Sequence, residues 1–264
     1  MCGIAGYSLS PSSRLDRTLA AQTLLAAIAE RGADAVGYAH RSPSDAHPTI
    51  VKQRTPASQL LERVAVPDDA TQLLVHVRDY TKGHPSIAAN NHPVRHGPVI
   101  GVHNGIIVND DELLGAHSCS RAEPRMTVDS EAIFALAAHS GNDVRALEAL
   151  AGSMAAAWLD EREPDLVFAA RGVGRPLWLG EGRGGVFFAS TALALEMLEQ
   201  YCELKLRKRE VPEGSMVALR AGKVAWREHF ETRPFVEQDL LPPVRAPQER
   251  EFCLSRLASI AAAA

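Results

Sequence analysis

Met1-Cys2-Gly3-Ile4-Ala5-Gly6-Tyr7 opens the chain, and the interpretation of the remaining sequence depends on this stretch. Cells usually remove an initiator methionine when the next side chain is small, which here would leave Cys2 as the first residue. Its thiol and its free α-amine would then belong to one residue, with ordinary pKa values near ~8.5 and ~8. A partly neutral amine can accept the thiol proton, so such a residue needs no separate histidine as base. Taken alone, the stretch favours a simpler interpretation, in which Cys2 is a small apolar residue that begins an inner strand.

Composition and charge exclude several classes of protein. The 264 residues are 46% hydrophobic and 23% charged, which is ordinary for a soluble globular protein with a sizeable core. A net charge of -4 gives no general attraction to nucleic acid or to an anionic membrane. The N-terminus lacks a basic region followed by an apolar run, and no stretch approaches the ~20 apolar residues that span a bilayer. We therefore expect a cytoplasmic protein that binds neither nucleic acid nor a membrane.

The cysteines and histidines show no metal-binding pattern. The four cysteines are widely scattered, without a CxxC pair, so reduced thiols are expected rather than disulfides. The ten histidines include no HExxH motif and no pair at i,i+4 spacing. We accordingly expect neither a metal nor an organic cofactor. The cysteines are Cys2, Cys119, Cys202 and Cys253.

The pattern of secondary structure favours an α+β fold. Strands occur in runs with helices grouped between them, which is typical of sheets that pack face to face with helices outside. Helices are predicted at 15–28, 57–64, 110–114, from Thr127 or Asp129 to residue 140, 143–151, 192–201 and from about 248 to the end. Besides the opening strand and a turn leading into a strand at 31–38, strands are predicted at 49–53, 73–77, 99–103, 106–108, 153–159, 165–171, 175–179, 185–189, 204–210, 215–220 and 223–227. Residues 79–97 form a long loop, and such loops often serve a site.

One domain is expected over residues 1–230, followed by a C-terminal extension over residues 231–264. The extension contains four prolines before its predicted helix. It can pack on the rest of the chain or reach a partner, and the sequence does not decide between these.

His103-Asn104-Gly105 lies at the end of a predicted strand. An Asn side-chain amide and the backbone N–H of a following Gly are the donor types that form an oxyanion hole. Asn-Gly is also the commonest dipeptide of two-residue hairpin turns. In isolation, the turn is the simpler interpretation.

Charged residues elsewhere suggest contacts with a small zwitterion. Arg78 follows a strand, where a guanidinium can hold a carboxylate through two hydrogen bonds, although a surface ion pair is the simpler interpretation. Asp129 lies at a helix start and can hold an ammonium group or cap the helix. Arg31 and Gly32 can tie down the strands around the N-terminus or form a plain turn.

As an ordered set, these stretches resemble the glutaminase domain of the class II (N-terminal nucleophile) glutamine amidotransferases. The matching stretches are MCGIAGY at 1–7, RGADAVG at 31–37, HVR with Thr81 at 76–81, NNHP at 90–93, HNGIIVN at 103–109 and DSEAI at 129–133. Weaker matches are RPLWLG at 175–180, FFAST at 187–191 and VPEGS at 211–215. Together they extend over roughly residues 2–230 in the order of the family. The resemblance implies the four-layer αββα sandwich of N-terminal nucleophile hydrolases.

By position, the resemblance also implies functional roles. Cys2 would be the nucleophile and its amine the base, with Asn104 and Gly105 as the oxyanion hole. Arg78 would bind the α-carboxylate of glutamine with Thr81 beside it, and Asp129 would bind the α-amine. Four residues would support the site: Arg31, Gly32, Asn90 and His92. The chain departs from the family at Asp79-Tyr80-Thr81-Lys82, where aminosugar synthases have Trp-Ala-Thr-His, and it stops where those enzymes begin their synthase domain.

The resulting hypothesis is hydrolysis of the γ-amide of L-glutamine through a Cys2 thioester. Ammonia would pass to a separate synthase subunit, or the protein would act as a free-standing hydrolase. One alternative keeps the fold but takes the γ-glutamyl amide of a larger metabolite. Those relatives typically open with Met-Cys-Arg, whereas Gly3 resembles the ammonia-producing branch. A second alternative is a non-catalytic subunit that retains the glutamine pocket. The acceptor of ammonia and the oligomeric state stay open at this stage.

Overall fold

The computed structural model describes residues 2–237 and 242–263. Two antiparallel sheets pack face to face, and helices cover both outer faces. The α+β class and the four-layer αββα sandwich predicted from the sequence are confirmed. Within the described residues, no helix combines the length and the apolar character needed to cross a membrane.

The strands of the described residues are three to nine residues long. Their bounds are β1 Gly3–Leu9, β2 Ala35–Arg41, β3 Thr49–Gln53, β4 Gln72–Arg78, β5 Val94–His96, β6 Val99–Ile107, β7 Gly152–Asp160, β8 Leu166–Arg171, β9 Trp178–Gly182, β10 Gly185–Ala189, β11 Arg207–Glu210, β12 Ser215–Arg220 and β13 Lys223–His229. The first sheet has the order β11-β9-β10-β1-β4-β2-β3, and the second has the order β13-β12-β8-β7-β6-β5.

The helices are α1 Arg17–Ile28, α2 Ala57–Leu60, α3 Asp110–Ala116, α4 Glu131–Ser140, α5 Ala192–Tyr201 and α6 Pro247–Ala263. Short 3₁₀ turns occupy Ala29–Arg31, Leu61–Arg63, Ala88–Asn90 and Val144–Ala149. Asp16 caps the N-terminus of helix α1, because its carboxylate accepts a hydrogen bond from the backbone amide of Leu19 at 2.8 Å. This side-chain cap satisfies one of the free amides of the first turn.

Three apolar clusters correspond to the three interfaces between the four layers. The middle cluster joins the sheets through β-branched and small side chains such as Ile4 and Val102. A second cluster lies between the first sheet and helices α1, α5 and α6, and a third lies between the second sheet and helix α4. The alternation of side chains along β1 explains this division, because Ile4 faces the other sheet while Ala5 and Tyr7 face the helices.

Several predicted elements differ in extent. The predicted helix at 143–151 is a 3₁₀ turn over Val144–Ala149, and only the first turn of the helix predicted at 57–64 is α-helical. The strand predicted at 175–179 lies at Trp178–Gly182, and the one at 204–210 is confined to Arg207–Glu210. These short segments are set by tertiary pairing, which overrides local preference.

The predicted turn at Asn104-Gly105 is wrong. Strand β6 continues without interruption from Val99 to Ile107, and Gly105 pairs with Met154 on β7. A Cβ at Gly105 would lie 1.9 Å from the carbonyl oxygen of Ser153, and the backbone φ there is +145°. Glycine is therefore required by the close approach of two strands, not by a hairpin.

The C-terminal segment, residues 231–237 and 242–263 as described, packs on the rest of the chain. Cys253 and Leu257 of α6 are fully buried in the cluster that covers the first sheet. Glu249 accepts hydrogen bonds from the backbone amide and the hydroxyl of Ser58, at 3.0 and 3.1 Å. The helix predicted from about residue 248 is confirmed. The boundary at residue 230 stays a prediction, because this packing does not define separate folding units.

Candidate active site

Cys2 lies where β1 emerges from the centre of the first sheet. The register pairs Gly3 with Val77 on β4, so that Cys2 comes level with Arg78. The Cys2 thiol donates to the backbone carbonyl of Asp79 at a distance of 3.4 Å. Burial raises the pKa of this thiol, and the nearby Arg78 guanidinium lowers it. The fold therefore places the Cys2 thiol next to a buried cation.

Arg31 and Gly32 hold the backbone around Cys2. The Arg31 side chain is buried, and its Nε donates to the carbonyl oxygen of Cys2 at 2.9 Å. Gly32 lies against the backbone of Arg78, where a Cβ would come within 2.4 Å of the carbonyl carbon and oxygen. Asp34 adds a hydrogen bond from its backbone amide to that same carbonyl at 2.9 Å. The turn after α1 thus fixes both Cys2 and the end of β4.

Arg78 extends its guanidinium into a buried environment. Nη1 donates to the side-chain oxygen of Asn91 at 2.6 Å, and Nη2 donates to the backbone carbonyls of Lys82, at 2.9 Å, and Gly83. The side chain is 2% exposed, and burial lowers its pKa. Interpretation as a surface ion pair is wrong, because its partners are an amide oxygen and two carbonyls. A carboxylate of a ligand can replace one of these neutral acceptors and form stronger, charge-assisted hydrogen bonds with the guanidinium.

Asp129 presents a buried carboxylate to the same cavity. Its Oδ2 accepts a hydrogen bond from the backbone amide of Ile107 at 2.7 Å, and burial raises its pKa to about 6. Helix α4 begins later, at Glu131, with Ser130 in the capping position and without a side-chain cap. The helix-capping interpretation of Asp129 is therefore wrong, and the carboxylate is directed across to strand β6.

Asn104 is buried between the two sheets, and Gly105 lines the cavity. Val102, two residues before Asn104 on β6, belongs to the cluster between the sheets, and the alternation along the strand directs Asn104 to the same layer. Neither the side-chain nitrogen nor the oxygen of Asn104 has a hydrogen-bond partner within the described residues. Leaving a buried amide without hydrogen-bond partners costs free energy. Such an amide is therefore expected where a bound ligand supplies the missing hydrogen bonds.

Three buried histidines lie next to these residues. His76 Nε2 donates to the backbone carbonyl of His103 at 3.1 Å, and its ring stacks on that of His92 with centroids 4.1 Å apart. His103 Nδ1 lies 2.8 Å from the hydroxyl of Ser130. Burial lowers the pKa of His76 and of His103 to about 3 and that of His92 well below its usual range. All three rings are therefore neutral, and the positive charge at this site comes from arginine and lysine.

The loop that follows β4 is held in place over the cavity. Lys82 Nζ lies 2.7 Å from both carboxylate oxygens of Asp110, which also pairs with Arg121 at 2.7 Å. Asn90 accepts hydrogen bonds from the backbone amides of Thr127 and Val128, at 2.8 and 3.1 Å. These contacts bring the segment before Asp129 against the loop. The conformation of the loop therefore depends on residues that are distant in the sequence.

The structure brings most of the predicted site residues into one small cavity. Its lining includes Cys2, Arg78, Thr81, His92, Gly105 and Asp129. Four other predicted residues lie behind this lining: Arg31, Gly32, Asn90 and Asn104. The sequence had suggested no role for Asn91, Lys82, His103 or Ser130, although all four fall inside or beside the quoted stretches. Within the described residues, no group of three His, Cys, Asp or Glu side chains is arranged to hold a metal ion.

Sequence comparisons identify proteins that are similar to this chain. A family model described as "Glutamine amidotransferase domain" matches residues 71–197. The glutamine–fructose-6-phosphate aminotransferase of Chlamydia muridarum is 30% identical over 240 residues, covering 88% of this chain and 38% of that enzyme. The corresponding enzyme of Zymomonas mobilis is 38% identical over 138 residues, covering 48% of this chain and 22% of the relative. The chain therefore spans between about a fifth and two fifths of the length of these two relatives.

Solved structures show the same fold at lower identity. The glutamine phosphoribosylpyrophosphate amidotransferase of B. subtilis superposes with a TM-score of 0.65 at 17% identity, covering 86% of this chain and 49% of that one. A glutamine aminotransferase class-II domain protein from Silicibacter pomeroyi gives 0.55 at 19% identity, covering 87% of this chain and all of that one. The sequence matches show that this chain contains a class II glutamine amidotransferase domain, and the solved structures show that it has the fold of the N-terminal nucleophile type.

Proposed function

We propose that this protein, after loss of Met1, hydrolyses the γ-amide of L-glutamine to glutamate and ammonia through a thioester on Cys2. The observation that carries the proposal is the shared cavity of Cys2, Arg78 and Asp129. These three groups surround one small space. The thiol can attack the side-chain amide of a free amino acid, the buried cation can bind its α-carboxylate, and the buried carboxylate can bind its α-ammonium group. Thr81 and Gly105 complete the lining.

The proposed reaction uses the α-amine of Cys2 as its acid and base. The amine accepts the thiol proton, the sulfur attacks the amide carbon, and the tetrahedral oxyanion accepts hydrogen bonds from the Asn104 side chain and the Gly105 amide. The protonated amine then gives its proton to the departing nitrogen, which leaves as ammonia. Water, deprotonated by the amine, attacks the thioester and releases glutamate and the thiol.

The unpaired amide of Asn104 supports this assignment independently of the comparisons. The fold leaves its donor and acceptor without partners inside the core between the sheets, at the residue before Gly105. Donors that are fixed before the oxyanion forms need no reorganisation during the reaction. A purely structural asparagine would be expected to satisfy its amide within the protein.

Turnover of glutamine by the matured protein tests the proposal. Wild-type protein should release glutamate and ammonia in equal amounts, and Cys2→Ala should release neither, although it still permits removal of Met1. Intact mass reports whether Met1 has been removed. Glutamate release by Cys2→Ala at the wild-type rate would reject the proposal. A protein that retains Met1 and binds glutamine without turnover would point to the non-catalytic alternative.

We further propose that the ammonia is delivered to a synthase partner. The support is that the relatives named above are an aminotransferase and an amidotransferase, of which this chain matches only a part. Gly3 favours glutamine, because relatives that act on γ-glutamyl amides of larger metabolites typically have Arg after the Cys. Comparing glutamine with γ-glutamyl amides of increasing size tests this choice, since faster turnover of the bulky amides would contradict it.

A further inference from the structure

We infer that Lys52, on strand β3, is a positioning residue for Arg78, because its ammonium group holds the backbone of Asn91, whose side chain contacts the Arg78 guanidinium. This role rests on the proposed function, in which Arg78 binds the α-carboxylate of glutamine. Lys52 lies outside every stretch on which the family resemblance was based.

The ammonium group of Lys52 bridges two backbone carbonyls that flank His92. Its Nζ donates to the carbonyl oxygen of Asn91 at 3.1 Å and to that of Pro93 at 3.3 Å. Between them, the carbonyl oxygen of His92 lies against Gly37 on strand β2, where a Cβ would come within 2.3 Å of it. Lys52 is paired with Gly37 in the register of β2 and β3. Three consecutive residues of the loop are therefore held against the β2–β3 edge of the first sheet.

Asn91 connects this anchor to the guanidinium of Arg78. Its side-chain oxygen accepts a hydrogen bond from Nη1 of Arg78 at 2.6 Å, and its side-chain nitrogen donates to the carbonyl of Pro85 at 2.8 Å. Asn91 is buried, so its amide depends on these protein partners rather than on water. The next residue, His92, lines the cavity. Lys52 thus fixes the backbone of the residue whose side chain orients the guanidinium.

Lys52 is suited to holding the loop because its donor group is charged. Hydrogen bonds from a charged donor are stronger than those between neutral groups. Both of its acceptors are neutral carbonyls, and within the part of the chain that the structure describes it forms no ion pair. Burial and the nearby Arg78 guanidinium lower the pKa of Lys52, whereas the Glu123 carboxylate raises it. The ammonium group therefore has no directly bound carboxylate that would compete with the loop.

Steady-state kinetics of Lys52→Met test the positioning role. We expect KM for glutamine to rise about tenfold with little change in kcat, because Arg78 is proposed to bind the α-carboxylate rather than the reacting amide. Lys52→Arg should recover most of the wild-type KM, because its guanidinium can donate to the same two carbonyls. An unchanged KM in Lys52→Met would overturn the inference.

Lys208→Met is the matched control. Lys208 is also half-buried, but it lies on β11 at the opposite edge of the same sheet, where it pairs with Glu199. Its KM should equal that of the wild type, with thermal unfolding confirming that all variants are folded. A KM that rises equally in Lys52→Met and Lys208→Met would also overturn the inference.

A double-mutant cycle with Asn91 separates positioning from a general loss of order. Asn91→Ala keeps the backbone carbonyl that Lys52 contacts but removes the side-chain oxygen that Arg78 contacts. If Lys52 acts through that oxygen, Lys52→Met should raise KM much less in the Asn91→Ala background than in the wild type. Equal increases in the two backgrounds would show that Lys52 does not act through Asn91.

Hydrogen exchange of the ligand-free proteins gives a second readout that requires no turnover. Exchange of the backbone amides over residues 84–96 should be several-fold faster in Lys52→Met than in the wild type, and unchanged in Lys208→Met. Identical exchange in Lys52→Met and the wild type would contradict the anchoring of the loop by Lys52. Failure of the wild type to hydrolyse glutamine would instead reject the proposed function, and the exchange rates would still decide whether Lys52 holds the loop.

Discussion

The Asp129 carboxylate and the Ile107 backbone amide are joined by a hydrogen bond of 2.7 Å, which links the residues before α4 to strand β6. Ile107 lies two residues after Gly105, so this bond fixes the carboxylate beside the predicted oxyanion hole. The Asp129 residue also lines the cavity that contains Cys2 and Arg78. A ligand ammonium at this position would restore some of the interaction that the buried carboxylate lost on leaving water.

Glutamine binding should weaken in acid because of Asp129. Its pKa of about 6 means that the ligand-binding carboxylate is lost below that pH. We expect KM for glutamine to rise about fivefold between pH 6 and pH 5 through this group. Asp129→Asn should bind glutamine weakly and show little of this pH dependence. Steady-state kinetics across this range provide the measurement, and a wild-type KM that stays constant down to pH 5 would contradict the role.

The same pKa has a consequence for stability. Its ordinary value of 3.8 is raised to about 6 in the folded protein, so the folded state retains the proton more strongly than the unfolded chain. The contribution of neutral Asp129 to the free energy of unfolding is complete below pH 3.8 and is lost as pH rises through about 6. Denaturant unfolding at a series of pH values should therefore show a smaller decrease across this window in Asp129→Asn. Parallel curves for the two proteins would contradict the raised pKa.

Asn104→Leu should separate activity from stability. The side chains have similar shape, but leucine has no polar atoms to leave unpaired in the core. We expect kcat to fall about 10²- to 10³-fold through loss of the oxyanion donor, while the free energy of unfolding stays constant or increases. Glutaminase assays and urea denaturation are the two measurements. A variant that loses stability in proportion to its activity would indicate that Asn104 is structural.

Arg78→Lys should affect binding more than catalysis. The lysine keeps the charge but cannot reproduce the guanidinium contacts with Asn91 and the loop carbonyls. We expect KM for glutamine to increase about 10²-fold, corresponding to roughly 3 kcal/mol, with a smaller change in kcat. Arg95→Lys, at a half-exposed ion pair with Glu161, is the control and should leave KM unchanged. Equal effects of the two substitutions would reject the role of Arg78.

Gly105→Ala should destabilise the fold strongly. The added Cβ would lie 1.9 Å from the Ser153 carbonyl oxygen, and the φ of +145° is unfavourable for alanine. We expect a loss of about 2–5 kcal/mol in the free energy of unfolding. Gly115→Ala on α3 is the control, because its Cβ would meet no atom within 4 Å, and it should stabilise the protein by about 0.5–1 kcal/mol. Denaturant unfolding compares the two, and equal destabilisation would contradict the steric argument.

The local sequence determined the elements that depend on periodic apolar residues and short-range caps. The spacing of apolar residues along the chain was sufficient to predict three elements: the helix over Arg17–Ile28, the strand over Gln72–Arg78 and the final helix. The ordered stretches beginning at Cys2 also determined the family and its four-layer fold. The turn predicted at Asn104-Gly105 is wrong, because the dipeptide alone does not reveal that these residues pair with β7.

Only the tertiary structure decided how separate motifs share one cavity. Cys2 and Arg78 meet through the pairing of β1 with β4, and Asp129 joins them through a bond to β6. The contact between Arg245 and Asp79 joins residues 166 positions apart, so no local pattern predicts it. The sequence therefore established which chemical groups are present and which fold they adopt. Their distances, burial and charge environment come from long-range pairing, because side-chain electrostatics depend on neighbours in space rather than along the chain.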